Sequence, residues 1–494
     1  MVSSTGAGVD AGGPPAWARH LPAGMSWSDV DLLAGGSIPA VAAAWAAERP
    51  LAVAFAPLTW EALLARTEAV AGRLARLGLR AGDRLLCSAA PSVDLVVAHL
   101  AALRMGVVVV PANTAYGPGE LGHIVADAEP AAALLDDAGR ALGLPAFGPA
   151  VDLEDGPVPR LDAAQPDDAA MVLYTSGTTG RPKGAVLSHR NVLASARAVT
   201  IAWRWSPDDR LVLALPLFHA HGLAVGVHGT LVAGASADVL PRFDVDAVID
   251  AVSGGATMLF GVPTMWARLA SSPRAGALHA LRLGVAGSAA LDPVLFDRVR
   301  EVCGQDIVER YGMSETLMLT SNPVDGDRRP GTVGISLPGV SVRLGADGEI
   351  LVAGPNVFGG YRGVPPDEFF TTDGFFRTGD VGAWDADGYL RIVGRTKELI
   401  ISGGYNVYPR EVEEVLLAHP AVIEAAVVGL PSEEWGEEVV AAVVLDRPVD
   451  GDALIGWCRA RLAHYKCPRA VRAVASLPRN AMGKVVRDQL RAAL

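Results

Sequence analysis

The stretch Tyr174–Gly184, YTSGTTGRPKG, carries an unusual density of glycine, hydroxyl groups and positive charge. It follows the apolar run AAMVL at 169–173, which is typical of a buried strand. Glycines let a backbone approach a ligand closely, and successive backbone N–H groups form a concave anion site. Hydroxyl groups and a lysine add donors and positive charge. The stretch therefore predicts a phosphate cradle, although a short surface turn has a similar composition.

The residues of this predicted cradle share small size, a hydroxyl group or a positive charge, and they are Thr175, Ser176, Gly177, Thr178, Thr179, Gly180 and Lys183. The stretch is not the GxxxxGK[ST] pattern of P-loop proteins. The predicted site therefore belongs to another class of phosphate-binding loop.

Composition limits the classes of protein that the chain can represent. Half of its 494 residues are hydrophobic and 19% are charged, which excludes a disordered chain and fits about three domain-sized units. With 42 Lys and Arg against 54 Asp and Glu, the net charge is -12. Nucleic-acid binding requires a basic footprint, so we expect no nucleic-acid partner.

The cysteines and the terminal residues favour a cytoplasmic protein. The four cysteines lack metal-like spacing, no signal peptide is visible, and we expect free thiols in a reducing compartment. Even the apolar run 95–110 is short for a membrane span and contains His99 and Arg104. We therefore expect no membrane association.

Helical and strand-like patterns alternate along the chain. A helical pattern covers 59–79, a strand-like run covers 83–89, a second helical pattern covers 93–106, and a buried strand is predicted at 107–113. Strands separated by helices imply βαβ units and mostly parallel sheets. The sequence therefore predicts an α/β fold.

The pattern changes near residue 340. Segments 341–354 and 382–395 contain Asp-Gly turns between alternating residues, which predicts hairpins in a small β-rich subdomain. A fresh α/β pattern follows, with a helix predicted over 409–420. We expect a large N-terminal domain of βαβ-type sheets at 1–394, a hinge at 395–398, and a small mobile α/β domain at 399–494.

Six motifs in one order give the chain a family resemblance. They are YTSGTTGRPKGAVLSH, LPLFHAHG, ERYGMSET, FFRTGDVG, GYLRIVGRTKELIISGGYNVYPREVE and PRNAMGK, and they span Thr175 to Lys484. Together they resemble the motifs of the adenylate-forming acyl-CoA synthetases, relatives of firefly luciferase and of peptide-synthetase adenylation domains. The resemblance implies ATP, Mg²⁺ and coenzyme A as cofactors. In that reaction a carboxylate attacks the α-phosphate of ATP, and a thiol then displaces AMP.

The same resemblance implies roles for residues of the first half-reaction. Glu315 matches the Mg²⁺ ligand, with help from Thr178, and a hard cation requires such oxygen ligands. Thr316 matches an α-phosphate contact. Lys484 matches the catalytic lysine of adenylation, whose ammonium bridges the carboxylate and the phosphate.

The resemblance also assigns the nucleoside contacts. Asp380 matches the carboxylate that accepts both ribose hydroxyls, because a carboxylate offers two acceptors to a diol. Arg395 matches a second ribose or phosphate contact, and Tyr311 matches an aromatic residue stacked on adenine.

A swinging C-terminal domain is a further implication. Lys397 occupies the hinge position of the family, and Gly403 and Gly404 lie where relatives line the thiol tunnel. One orientation delivers the lysine and the other forms the thiol-transfer site, although two glycines and a charged residue also suit an ordinary linker.

Local features resemble the malonyl- and methylmalonyl-CoA synthetases within that superfamily. Arg268 in PTMWAR and Arg310 in VERYGM match the arginines that this subgroup devotes to its dicarboxylate. A buried free carboxylate requires such a partner, and Ser288 adds a hydrogen bond. Arg268 also suits a solvated helix position. His219 is interpreted as a guard of the acyl pocket, and a metal pair with His221 is disfavoured because alternate residues of an extended segment face opposite sides.

Two rival hypotheses remain at this point. The enzyme activates another acid, such as an aryl or short-chain carboxylate, or transfers it to a carrier-protein thiol or a nitrogen nucleophile. Alternatively, the chain is a nucleotide-binding regulator without catalysis. We expect small-molecule partners and a monomer or homodimer.

Overall fold

The structure is a computed structural model that describes residues 15–137, 142–175, 182–432, 434–479 and 485–494. The chain divides into two compact units. Unit 1 comprises Met1–Val342 and Val352–Phe376, and unit 2 comprises Arg343–Leu351 and Arg377–Leu494. This division by compactness differs from the hinge at 395–398, which stays a prediction.

The strands of the described residues are short and evenly distributed. They are β1 Val53–Phe55, β2 Leu58–Thr59, β3 Arg84–Ser88, β4 Val108–Pro111, β5 Ala132–Leu135, β6 Ala146–Phe147, β7 Ala169–Thr175, β8 Lys183–Ser188, β9 Arg210–Leu213, β10 Ser236–Val239, β11 Met258–Gly261, β12 Leu283–Ala286, β13 Val308–Met313, β14 Leu317–Ser321, β15 Ile335–Ser336, β16 Ser341–Leu344, β17 Glu349–Ala353, β18 Phe376–Trp384, β19 Leu390–Arg395, β20 Ile400–Ser402, β21 Tyr405–Val407, β22 Val422–Ser432, β23 Gly436–Leu445 and β24 Ala470–Ala473.

The α-helices lie mostly between these strands. They are α1 Ile38–Glu48, α2 Trp60–Arg76, α3 Val93–Met105, α4 Pro118–Ala128, α5 His189–Ala202, α6 His228–Ala233, α7 Val245–Ser253, α8 Pro263–Ala270, α9 Pro293–Cys303, α10 Pro409–Leu417, α11 Gly451–Arg459 and α12 Arg487–Ala493. A π-helical turn, His221–Val227, precedes α6, and 3₁₀ helices occur at Ala16–His20, Trp27–Asp29, Ala275–Ala280, Pro366–Glu368, Thr396–Glu398 and His464–Lys466.

Unit 1 is built on two large sheets. The first has nine strands in the order β15-β14-β13-β12-β11-β9-β10-β1-β2, and the second has six in the order β6-β5-β3-β4-β7-β8. Strands β9 to β13 pair in parallel, as do β3, β4, β5 and β7, whereas β7 and β8 form an antiparallel pair. The parallel pairs confirm the predicted α/β class.

Local sequence signals explain where the helices of unit 1 begin and end. Ser92 caps α3 through the backbone N–H of Leu95, and Ser188 caps α5 in a reciprocal capping box with Asn191. Capping satisfies backbone donors that the first helical turn leaves free. Gly106 ends α3 in the left-handed region, at φ 74°. The next strand, β4, therefore starts directly after the helix.

Unit 2 contains most residues of a four-stranded sheet, β16-β17-β18-β19, and a five-stranded sheet in which β24 pairs with β23. The core of the five-stranded sheet and its helices includes Val412, Leu416, Val427, Ala441 and Leu454. This is the small C-terminal α/β arrangement that the sequence predicts. Within the described ranges, none of the helices has both the length and the apolar character that crossing a membrane requires.

Candidate functional site

The hairpin of β7 and β8 carries the predicted phosphate cradle of unit 1. Thr175 ends β7 and pairs across the hairpin with Lys183, the first residue of β8. The hydroxyl of Tyr174 donates a hydrogen bond to Asp127, which fixes the end of β7 to α4. The predicted cradle residues Ser176, Gly177, Thr178, Thr179 and Gly180 lie outside the described residues.

Lys183 lies among aromatic rings. Its Nζ is 4.8 Å from the ring centroid of Phe369 and 5.7 Å from that of Tyr361. The two rings meet edge to face at 4.7 Å. Cation–π attraction therefore holds the ammonium at the base of the hairpin.

Glu315, the predicted Mg²⁺ ligand, is 5% exposed and receives a hydrogen bond from the Tyr361 hydroxyl at 2.7 Å. Burial and the Glu315 carboxylate raise the pKa of Tyr361, so the phenol stays a donor. No cluster of three metal-ligating side chains occurs in the described ranges. A single oriented carboxylate fits Mg²⁺, which commonly takes its other ligands from phosphate and water.

A tight turn between β13 and β14 holds Thr316. A Cβ at Gly312 would lie 1.9 Å from the Leu317 carbonyl oxygen, so this crossing requires glycine. The Asn356 side-chain amide donates to the carbonyls of Thr316 and Met318, at 2.7 and 3.1 Å. Thr316 is fully buried, and its hydroxyl lies 3.4 Å from the Leu317 carbonyl. The turn therefore has a fixed shape.

Tyr311, the predicted adenine-stacking residue, is buried in β13, where its backbone pairs with Thr320 of β14. It lies four residues before Glu315 on the same strand and turn.

Unit 2 places the two predicted ribose-binding residues side by side. Asp380 of β18 and Arg395 of β19 are direct cross-strand partners, and the Arg395 Nε lies 2.9 Å from the Asp380 Oδ1. The Asp380 side chain is 4% exposed, whereas that of Arg395 is 54% exposed. A buried carboxylate beside a partly solvated guanidinium suits a ligand with hydroxyl donors and a negative charge.

The predicted hinge and thiol-site residues also lie in unit 2. Lys397 is exposed within the 3₁₀ helix Thr396–Glu398. Gly403 and Gly404 form the turn between β20 and β21, at φ 57° and 81°. Two left-handed residues in a two-residue hairpin turn favour glycine strongly. Lys484, the predicted catalytic lysine, lies outside the described residues.

A buried arginine marks the acid side of unit 1. Arg310 of β13 is 4% exposed, and its Nη2 donates to the Ser288 hydroxyl at 3.3 Å. Across the described residues, no carboxylate forms an ion pair with this guanidinium, and its Nε has no hydrogen-bond partner. Burial lowers the pKa of Arg310 to about 9, so the side chain remains a cation at neutral pH.

Glycine lets this guanidinium lie against the neighbouring strand. Gly287 directly follows β12, next to Arg310 in register, because Val285 pairs with Val308. A Cβ at Gly287 would lie 2.5 Å from both Cζ and Nε of Arg310. Ser288 then takes a left-handed conformation, at φ 68°, and is exposed.

The two histidines of the LPLFHAHG motif have different environments in the structure. His219 is half-buried beside Phe218, with ring centroids 4.7 Å apart. His221 is 4% exposed, and its Nδ1 lies 3.4 Å from the Ser288 hydroxyl. The intervening segment forms a turn before the π-helical turn, whereas the sequence interpretation assumed an extended segment. Gly222 makes this possible, since a Cβ there would lie 2.3 Å from the Pro216 carbonyl oxygen.

Arg268 has a different environment from Arg310. It lies on the exposed side of α8, with its Cζ 4.9 Å from the ring centroid of Phe243. No hydrogen bond or ion pair joins it to Ser288, His221 or Arg310 in the described part of the chain. The opposite side of α8 buries Trp266, whose Nε1 donates to the Val285 carbonyl at 3.1 Å.

Sequence reasoning missed several residues of this arrangement, namely Tyr361, Asn356, Phe369, Gly287 and the contact of His221 with Ser288. Only Gly287 carried a local signal, because it lies in GVAGSAAL directly before the serine. The others reach the site from distant segments of the chain.

Comparison with known proteins agrees with the fold. The family described as AMP-binding enzyme matches residues 42–362, and the AMP-binding enzyme C-terminal domain matches residues 411–484. A feruloyl-CoA synthase of Amycolatopsis sp is 37% identical over 88% of this chain and 93% of the relative. A sulfoacetate–CoA ligase of Cupriavidus necator is 39% identical over 79% and 84% of the two chains. A malonate–CoA ligase of Arabidopsis thaliana is 37% identical over 66% and 61%.

Solved structures give the same result. ATP-bound MatB from Rhodopseudomonas palustris is 39% identical, covers 92% of this chain and 99% of its own, and has a TM-score of 0.86. A malonyl-CoA ligase with methylmalonyl-CoA and AMP bound is 43% identical, with coverages of 87% and 96% and a TM-score of 0.64. The Bacillus subtilis O-succinylbenzoate CoA synthetase with ATP and magnesium is 30% identical, with coverages of 91% and 99% and a TM-score of 0.83. The chain therefore belongs to the AMP-binding enzymes, within the adenylate-forming superfamily of acyl-CoA ligases.

Proposed function

We propose that this enzyme is an ATP-dependent ligase that joins malonate or methylmalonate to coenzyme A. The carboxylate attacks the α-phosphate of ATP and releases pyrophosphate, and the thiol of coenzyme A then displaces AMP from the acyl-adenylate. ATP, Mg²⁺ and coenzyme A are the cofactors. The proposed partners are these small molecules, without nucleic acid or membrane.

The observation that carries the substrate proposal is the buried guanidinium of Arg310. It has one hydroxyl partner and no carboxylate partner within the described ranges. A buried charge without a partner is unfavourable unless a ligand supplies the opposite charge. A short diacid does this, because its second carboxylate stays ionised while the first one reacts. Ser288, at the exposed side of Arg310, contributes a further polar contact.

The nucleotide half of the proposal assigns a role to each predicted residue. Thr175 and Lys183, with the cradle residues between them, bind the phosphates, and Thr316 contacts the α-phosphate. Asp380 and Arg395 bind the ribose, and Tyr311 stacks on the adenine. Glu315, held by Tyr361, holds Mg²⁺ together with Thr178. The bound ion neutralises phosphate charge.

The remaining roles belong to the C-terminal part of the chain. Lys484 bridges the reacting carboxylate and the α-phosphate during adenylation. The chain turns at Lys397, and Gly403 and Gly404 line the path of the thiol. Their left-handed turn supports this role, because no side chain projects from it.

The test is a substrate panel with the purified protein. Pyrophosphate release is measured with malonate, methylmalonate, sulfoacetate, propionate and ferulate, each with and without coenzyme A. We expect the highest kcat/KM with malonate or methylmalonate and a CoA thioester as the product. A response to ferulate alone would contradict the diacid proposal.

Two arginine variants then locate the recognition of the second carboxylate. Arg310→Met should lower kcat/KM for malonate about a hundredfold or more, because the ligand charge loses its buried partner. Arg268→Met removes an arginine that contacts Phe243 at the surface, and the loss should be much smaller. Equal losses of kcat/KM in the two variants would indicate that Arg268 also binds the acid.

One rival function has specific support. The feruloyl-CoA synthase relative covers 88% of this chain, against 66% for the malonate–CoA ligase of Arabidopsis thaliana. Ferulate has no second carboxylate, so the buried charge of Arg310 favours the diacid. Activity with carrier-protein thiols or nitrogen nucleophiles in place of coenzyme A is the other alternative, and the product of the panel distinguishes it.

A further inference from the structure

We infer that His221 is a second hydrogen-bond donor to the distal anion of the acid, held in its Nε2–H tautomer by Ser288. This inference rests on the proposed function, since it extends the recognition of the second carboxylate beyond Arg310. It assigns to His221 a role in specificity that neither the motif nor its spacing indicates.

The first step is a count of protons around Ser288. A guanidinium only donates hydrogen bonds, so the Ser288 hydroxyl must accept the bond from Arg310 Nη2 at 3.3 Å. A serine oxygen has one proton and a second lone pair, and we take the arrangement in which the proton is donated to the His221 Nδ1 at 3.4 Å. In that arrangement Nδ1 is an acceptor, and the imidazole proton lies on Nε2.

The second step concerns the charge of His221. Burial, the Arg310 charge and the neighbouring His219 lower its pKa well below 6.5, so the ring is neutral at physiological pH. A neutral imidazole has one acceptor and one donor nitrogen. The orientation of the ring is fixed by Phe260, which stacks on it at 6.1 Å between centroids with a 16° angle between planes.

Two buried nitrogen atoms near Ser288 have no hydrogen-bond partner among the described residues. His221 Nε2 is fully buried and makes no hydrogen bond with the described residues, and the same holds for Arg310 Nε. Two residues that contact one serine hydroxyl thus each present an unused N–H group. Buried donors without acceptors are unfavourable, and a ligand that only accepts hydrogen bonds relieves both.

The chemical class of the ligand follows from this count. A carboxylate or sulfonate has acceptor oxygens only, whereas an alcohol or amide also brings donors. The distal group of the acid is therefore an oxyanion with at least two acceptor oxygens. Malonate, methylmalonate and sulfoacetate share this group, whereas propionate lacks it.

The kinetic test uses His221→Phe, which removes both nitrogens and retains an aromatic ring against Phe260. We expect KM for malonate to rise about ten- to a hundredfold, as for a lost hydrogen bond to a charged group. KM for ATP and kcat/KM for propionate should stay within about twofold. The control is His279→Phe, because His279 is exposed and lies outside the site.

The second measurement is independent of activity. Nitrogen-15 spectra of histidine-labelled free protein distinguish the tautomers, and the signal lost in His221→Phe identifies His221 among the ten histidines. We expect the proton on Nε2 in the wild type, with the tautomer preference relaxed in Ser288→Ala. A proton on Nδ1 in the wild type would overturn the inference.

The outcomes separate this inference from the proposed function. If malonate is a good substrate and His221→Phe leaves its KM unchanged, His221 has no role in recognition and the inference fails alone. If the variant raises KM for malonate and lowers kcat/KM for propionate equally, the residue acts on the reacting end and the inference also fails. If the wild type uses only acids without a distal anion, the proposed function and the inference fail together.

Discussion

Arg310 in unit 1 is 4% exposed and the Arg487 side chain in unit 2 is 18% exposed, and the surroundings of these two arginines are opposite. Arg310 contacts one hydroxyl. Arg487 forms ion pairs with Glu413 at 2.7 Å and Glu398 at 2.9 Å, and donates to the Val427 carbonyl at 2.8 Å. Burial lowers the pKa of Arg310 to about 9. Burial also acts against the charge of Arg487, but Glu413 and Glu398 raise its pKa above the usual value.

An arginine that stabilises the fold is paired with carboxylates of the chain, whereas an arginine that binds a ligand is not. The charge of Arg487 is compensated by carboxylates of the same chain. Its ion pairs and hydrogen bond therefore stabilise the packing of α12 on α10 and β22. The guanidinium of Arg310 forms no ion pair with a described residue, and the neighbouring Glu309 only partly offsets its burial, so a ligand carboxylate can still pair with it. Four substitutions test this contrast.

Arg487→Met should break the structural side of the contrast. It leaves the carboxylates of Glu413 and Glu398 without their partner, and because these pairs are partly solvated we expect the free energy of unfolding to fall by about 2–4 kcal/mol, between the values for surface and buried pairs. Denaturant unfolding of the full chain measures this. Arg479→Met is the matched control, because its pair with Glu424 is at the surface and should contribute about 0–1 kcal/mol. Equal losses in the two variants would refute the contrast.

Gly287→Ala should break the binding side. The new Cβ would collide with the Arg310 guanidinium, and displacing it should cost about 1–3 kcal/mol. We expect KM for malonate to rise about ten- to a hundredfold while KM for ATP changes little. Gly276→Ala is the control, since a Cβ there has open space within 4 Å. An unchanged KM for malonate in Gly287→Ala would show that the acid does not need this guanidinium position.

His20→Gln tests a third way in which a buried ionisable group is accommodated, namely as a neutral imidazole without a bound proton. Burial lowers the pKa of His20 to about 4. The unfolded chain binds this proton below about pH 6.5 and the folded chain does not. Stability is therefore retained above pH 6.5 and falls as the pH drops towards 4, by about 1.4 kcal/mol per pH unit for this group.

The measurement is the free energy of unfolding between pH 6.5 and 4.5. In His20→Gln the slope should decrease by that amount, because glutamine keeps a donor for the Ile335 carbonyl but does not titrate in this range. The exposed His279→Gln serves as the control. A slope equal to that of the wild type in His20→Gln would contradict the buried neutral state.

Arg310→Met should have the smallest effect on stability. Replacing a buried charge that lacks a carboxylate partner by an apolar chain of similar length removes a desolvation cost, so we expect a change within about 1 kcal/mol or a gain. Unfolding in the absence of substrate measures this. A loss as large as that of Arg487→Met would show that Arg310 is structural.

Much of the fold follows from local pattern. The helical period predicts 59–79, and α2 is Trp60–Arg76; the strand predicted at 83–89 is β3, Arg84–Ser88. The Asp387-Gly388 turn joins β18 to β19 as an Asp-Gly hairpin signal indicates. These elements depend on neighbours in sequence, which is why one sequence is sufficient to predict them.

Several contacts of the candidate site join distant segments of the chain, and local sequence pattern does not predict them. Asp380 and Arg395 come from separate motifs, and pairing in the sheet makes them partners. Tyr361 reaches Glu315 across 46 positions in the sequence, and no spacing encodes that contact. His221 was interpreted from an extended geometry, but the close approach of Gly222 to Pro216 creates a turn that hydrophobic period does not reveal.

The absence of a side chain at Gly287 has a consequence for how relatives of this enzyme diverge. A bulkier residue at 287 and a flat guanidinium from 310 cannot occupy the same space. The two positions should therefore covary across an alignment, with arginine at 310 tolerated only where 287 is glycine. Relatives that use acids without a second negative charge can carry a larger residue at position 287. The residue pair at 287 and 310 then indicates whether the substrate has a distal charge.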